Sequence, residues 1–220
     1  MNPLPNESRR RALKATALAM TIVSGAALSA CDGGPLKGLF SSKPAAAPFN
    51  GIDLTGAAYA RDFSLPDMNG QRRTMADFKG KVVVLFFGYT QCPDVCPTSL
   101  AELVEVRRAL GADGDRVQGL FITVDPERDT SEVLKAYMAN FDKSFLALRG
   151  TPDDVKATAK EFKAYYAKVP GSTPETYTMD HTAAFYVFDM EGKIRLFERN
   201  DVEPVKFVAD LKQLLAGASA

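Results

Sequence analysis

The chain has 220 residues and no formal net charge at pH 7, with 46% apolar and 25% charged residues. That balance is ordinary for a globular domain and gives no electrostatic case for a nucleic-acid partner, since the basic residues are scattered and form no stripe. Three cysteines and a single histidine bound the metal chemistry: a closed structural zinc site normally takes four such ligands.

Residues 1–31 read as an export signal. Arg9, Arg10, Arg11 and Lys14 precede the uncharged apolar stretch Ala15 to Ala30, which at about 16 residues is short for a membrane-spanning helix. Ser8 to Lys14 resembles a twin-arginine signal in which Ala12 replaces the usual Phe, so both that route and the general secretory route stay open. Leu28-Ser29-Ala30-Cys31 resembles a bacterial lipobox. Cleavage before Cys31 and diacylation of its sulfur would tether the protein to the cell membrane on its periplasmic side. The alternative is an ordinary signal peptide with a chance cysteine. Asp32 matches an inner-membrane retention signal of Gram-negative lipoproteins. Residues 32–50, rich in Gly, Pro, Ser and Ala, predict a flexible tether. An exported setting makes a Cys92–Cys96 disulfide possible.

Residues 51–220 alternate strand and helix signals. Asp62 to Pro66 and Gln71 to Thr74 flank Met68-Asn69-Gly70, which predicts a hairpin with an Asn-Gly turn. Val82 to Gly88 is an uninterrupted apolar run and reads as a strand buried on both faces. Ser99 to Leu110 carries a helical stripe of Leu100, Leu103, Val104, Val106 and Leu110. Val117 to Val124 predicts a second buried strand. Asp129-Thr130-Ser131 and Thr151 cap helices expected to run to about Asn140 and Tyr165, with Pro152 in the first turn of the second. Ala183 to Asp189 and Ile194 to Glu198 pair across Glu191-Gly192, and Glu203 to Leu215 closes the domain as a helix. The order predicts an α/β fold with a central mixed sheet flanked by helices and an N-terminal hairpin, in one domain.

The chemistry concentrates in Gly88-Tyr89-Thr90-Gln91-Cys92-Pro93-Asp94-Val95-Cys96-Pro97-Thr98, between a buried strand and a helix. A helix N-terminus offers free amide donors and partial positive charge, which stabilise a thiolate. If the segment is helical, both sulfurs share a face with Cβ atoms ~5–6 Å apart, against the ~3.8 Å that a disulfide prefers. The pair can therefore stand open around an ion or close with rearrangement. Thiolates suit Cu(I), and a neutral imidazole would complete a three-coordinate site. His181 is the candidate, expected in a loop just before the strand Ala183 to Asp189, the alternative being a surface or hydrogen-bonded histidine. Met179 reads as packing. Asp125 to Thr130 is expected at the same sheet end, as a helix cap in a solvated loop.

Phe87-Gly88-Tyr89-Thr90, Cys92-Pro93-Asp94-Val95-Cys96-Pro97, Thr123 to Thr130 and Asp180-His181-Thr182-Ala183, in that order, resemble the Sco/SenC family over about residues 55–215. The resemblance implies a thioredoxin-like fold. It implies copper, as Cu(I) and also Cu(II), on Cys92, Cys96 and His181. It also implies delivery of copper, or of reducing equivalents, to the copper-site subunit of cytochrome c oxidase, with other copper chaperones or thiol–disulfide reductases as further partners. Gln91 departs from the family, in which many members have His at a position that is not a ligand.

Four readings follow. A metallochaperone uses all three ligands. A thiol–disulfide oxidoreductase attacks with Cys92, the more exposed thiol, and resolves with Cys96. A peroxidase is echoed by Val95-Cys96-Pro97-Thr98, but Pro93 and Tyr89 replace the Thr and Pro that would position peroxide. An inert structural disulfide would close so small a loop that it constrains the unfolded chain weakly.

Overall fold

A computed structural model describes residues 48–173 and 176–217. The expected export signal, Cys31 and most of the tether lie outside them. The tether expectation ran to residue 50, yet Phe49 packs on the core and the Asn50 amide donates to the Asp210 carboxylate at 3.0 Å. Among the described residues no helix is long and apolar enough to cross a membrane.

In chain order the elements are β1 (Ile52–Asp53), β2 (Leu65–Pro66), β3 (Arg72–Arg73), β4 (Val82–Gly88), α1 (Val95–Ala109), β5 (Val117–Thr123) and α2 (Ser131–Met138). They continue with β6 (Leu146–Leu148), α3 (Pro152–Glu161), β7 (Tyr166–Val169), β8 (Thr178–His181), β9 (Ala184–Phe188), β10 (Ile194–Arg199) and α4 (Pro204–Leu215). The predicted hairpin is β2–β3, turning through Gly70 at φ +87°, a backbone conformation that glycine adopts without a Cβ penalty. Thr130 and Thr151 cap α2 and α3 as expected, each side chain accepting an amide from the first turn. α3 stops at Glu161, short of Tyr165. Lys163 turns left-handed at φ +53°, and the Ala164 amide closes back on Ala159 O at 2.8 Å.

A six-stranded sheet runs in the order β1-β10-β9-β4-β5-β6. Both β4 and β5 are buried along their whole length, β4 as an unbroken apolar run and β5 with Gln118 and Thr123 buried among its apolar residues. They pair in parallel with Val82 opposite Val117 and Gly88 opposite Thr123, so their C-terminal ends are level. β9 runs antiparallel to β4, with Phe86 opposite Phe185, and therefore starts where β4 ends. Helices cover both faces. Phe86 packs on Phe185, which in turn meets Phe207 of α4, while Phe87 packs on Phe162 at the end of α3.

Three parts of this architecture were not predicted: the short edge strand β1, β6, and the β7–β8 pair. β6 is only three residues long, too short to show a period. β7 and β8 form a separate two-stranded sheet, an arm in which Tyr166 lies opposite His181. His181 is therefore the last residue of a strand, not a loop residue ahead of β9.

Candidate metal centre

The level ends of β4 and β5 and the start of β9 bring three chain segments to one edge of the sheet. The loop from β4 to α1 carries Cys92, the first turn of α1 carries Cys96, and the arm delivers His181. Their ligand atoms, two sulfurs and an imidazole nitrogen, all lie within 4.8 Å of one another. Both cysteines are free thiols. Such a set, soft and compact, fits Cu(I) or another thiophilic ion.

α1 starts at Val95, so Cys92 precedes the helix and the expected same-face helical pair does not form. Cys92 sits instead before the helix N-terminus, where its Sγ accepts the Cys96 amide at 3.4 Å. Cys96 is fully buried and Cys92 half-buried. The Cys96 thiol donating to it pulls Cys92 far below the ordinary thiol range, with help from His181 and the Cys96 and Asp94 amides and against the effect of burial. The shared proton with Cys92, and then burial, push Cys96 well above that range. The two thiols are thus inequivalent, the outer one made more acidic and the inner one less.

His181 Nε2 lies 3.3 Å from Cys96 Sγ, and its Nδ1 lies 3.2 Å from the Thr182 carbonyl. A carbonyl only accepts, so Nδ1 is the donor there, and Nε2 is the ring atom turned toward the sulfurs. The ring stands edge-on to Phe86 and Tyr89, with centroids 5.8 and 5.9 Å away. Met179 packs against the core, as its sequence context suggested.

The Asp125–Thr130 segment reaches the expected sheet end, but it is not a solvated loop: Asp125 is 3% and Asp129 0% exposed. The Asp129 carboxylate accepts from the Thr90 amide at 3.1 Å, the Thr90 hydroxyl at 2.5 Å and the Thr123 hydroxyl at 2.5 Å. It staples the loop of Cys92 to the end of β5. Burial raises its pKa, while these hydrogen bonds counter the rise. Tyr177, just before β8, donates its hydroxyl to Asp125 Oδ1 at 2.8 Å. The sequence marked none of Arg128, Asp129 or Tyr177 as a site residue, since no local spacing links them to the cysteines.

The SCO1/SenC family profile matches residues 53–216. The mouse mitochondrial SCO2 homolog is 41% identical over 133 residues, 60% of this chain and 52% of its own. The chain thus spans about half the length of the mammalian relatives it matches. A SCO2-like protein of Rickettsia felis is 36% identical over 152 residues, covering 69% of this chain and 74% of its own. The structure of Bradyrhizobium japonicum ScoI with copper bound superposes with a TM-score of 0.65 at 44% identity, over 70% of this chain and 98% of that one. With its mixed sheet in the thioredoxin-like arrangement, this chain belongs to the SCO1/SenC family.

Proposed function

We propose that this domain is a copper metallochaperone. Cys92, Cys96 and His181 bind the ion as cargo and pass it to the copper-site subunit of cytochrome c oxidase. The observation that carries the reading is the convergence of two sulfurs and an imidazole nitrogen within 4.8 Å, the imidazole proton being turned away to Thr182. Copper in the Bradyrhizobium ScoI structure supports the choice of ion. A half-buried Cys92 gives an incoming ligand one sulfur to approach, and ligand-by-ligand exchange follows from there. The reduced domain is expected to bind about one copper ion per chain, and His181→Ala to weaken its hold on copper, with Cu(II) affinity falling at least tenfold, about the lower range for losing a shell partner. Copper analysis of the dialysed protein checks this. Unchanged affinity in His181→Ala would sink the three-ligand site.

The asymmetry of the two thiols favours a second reading, a thiol–disulfide oxidoreductase. Here the Cys92 thiolate attacks a client disulfide, forming a mixed disulfide and releasing one client thiolate. Cys96 then loses its proton and attacks Cys92 Sγ, which frees the second client thiol and leaves a Cys92–Cys96 disulfide. Two electrons pass to the client, and an extracytoplasmic thiol reductant must reset the pair. Cys96→Ser would trap the mixed disulfide if this reading holds.

The same proposal places the domain outside the cytoplasm, at the periplasmic face of the cell membrane, held by lipid on Cys31. Cys31→Ser is then expected to move it from the membrane fraction to the soluble one.

A further inference from the structure

The arm that carries His181 is not paired to the main sheet: among the described residues β8 has only β7 as its strand partner. Something else must hold the imidazole at its distance from the sulfurs. Arg128, between β5 and α2, meets the requirements. Its Nε donates to Asp125 Oδ2 and forms an ion pair with that buried carboxylate. Its Nη1 donates to Gln91 Oε1 at 3.0 Å, next to Cys92 in the chain, and to the Tyr177 carbonyl at 2.9 Å, just before β8. The guanidinium also lies over the Tyr177 ring at 3.6 Å. Lys168 meets the same ring, with its ammonium 3.6 Å from the centroid, and pairs with Glu127 at the surface.

We propose that Arg128 is the positioning residue that locks the His181 arm to the cysteine loop, setting the third ligand without bonding to any of the three. A planar fork can serve Asp125, Gln91 and Tyr177 at once, which a point charge cannot. The Arg128 side chain is only 16% exposed, so its bonds to Asp125 and the Tyr177 carbonyl form where water competes weakly, whereas its bond to Gln91 lies at the surface. Lys168 is 49% exposed, and its surface pair with Glu127 adds little. The role has a metal-specific consequence, which rests on the copper reading above. Cu(I) is satisfied by soft thiolates, whereas Cu(II) draws on imidazole nitrogen. Loosening the arm therefore weakens Cu(II) more than Cu(I).

The chain has one histidine, so its imidazole gives a single set of proton–nitrogen resonances. Arg128→Lys, Arg128→Met, Gln91→Ala and Lys168→Met are compared with the parent, first metal-free and reduced, then with Cu(I) under a competing chelator and with Cu(II). Both Arg128 variants are expected to shift and broaden the His181 resonances, and Gln91→Ala to shift them less. Lys168→Met should match the parent. In the Arg128 variants Cu(I) affinity should stay close to that of the parent. Cu(II) affinity should fall about tenfold or more, with a moved sulfur-to-copper absorption band. Arg128→Lys should not rescue. Parental His181 resonances in a folded Arg128→Lys protein would overturn the proposal, whatever the metal data. If Arg128→Met does not fold, Arg128→Lys decides by the same resonances. A parent that binds no copper would instead remove the copper reading, while the metal-free spectra still decide the role of Arg128.

Discussion

At Gly88 the chain has no room for a side chain. A Cβ there would stand 2.6 Å from the Phe121 ring and 2.9 Å from Cys96 Sγ. The glycine ends β4 and lets the first turn of α1 lie directly on the sheet, which is how Cys96 becomes fully buried. Gly88→Ala forces Cys96 or Phe121 aside in a packed interior. The expected cost is ~1–3 kcal/mol, the usual range for overpacking, read by urea unfolding of the reduced, metal-free protein. The same variant should react faster at Cys96 with a thiol reagent. In the sequence Gly88 showed as the end of an apolar run and the start of the cysteine segment, with nothing to say that it must lack a side chain. Its close approach to the Cys96 sulfur depends on where α1 docks, which no local pattern encodes.

Among the elements, α1, β10 and α4 enclose an acidic group. Glu198 of β10 is 2% exposed, with an Oε2 that has no partner, and Oε1 of Glu102 on α1 also lacks one. Burial first, then the neighbouring Asp210 and Glu102, push the Glu198 carboxyl up to about 7. Burial and Asp201 push Glu102 up to about 7 as well. Between the ordinary value of 4.5 and about 7, the folded state keeps protons that the unfolded chain releases. Stability therefore falls as pH rises through that window. Glu198→Gln removes one of these groups. The melting temperature should then fall less between about pH 5 and about pH 8 than in the parent, by about 3 °C, as followed by circular dichroism. The elements themselves were largely readable, because β4, β5, α1 and α4 each carry a clear period or an unbroken apolar run. The arm was not: each of its strands is only four residues long and partly exposed, too short for a period or an apolar run to stand out.

For the whole molecule, the point of attachment of the N-terminal segment matters. Asp210, fully buried in α4, accepts from the Asn50 amide at 3.0 Å, the Asn50 side-chain amide at 2.8 Å and the Gly51 amide at 2.8 Å. These bonds tie residues 50–51 to a helix some 160 residues later. Asp210→Ala leaves three donors without their acceptor, at an expected cost of ~1–3 kcal/mol, measurable by chemical denaturation. The cysteine–histidine site, built from other elements, should respond far less.

By itself the sequence determined the strand–helix junction, the two thiols placed on it and, through family resemblance, the histidine that joins them. Apolar periodicity and helix capping act between near neighbours, so they can be read from one chain. Only the tertiary structure decided that Cys92 lies ahead of the helix and not within it. It also decided that Asp129 reaches back 39 residues to hold Thr90, and that Arg128 spans 49 residues to grip Tyr177. Those partners meet because parallel β4 and β5 end level and a separate two-stranded arm reaches the same edge. Sheet register and docking set such distances, and a residue's neighbours along the chain carry no record of them.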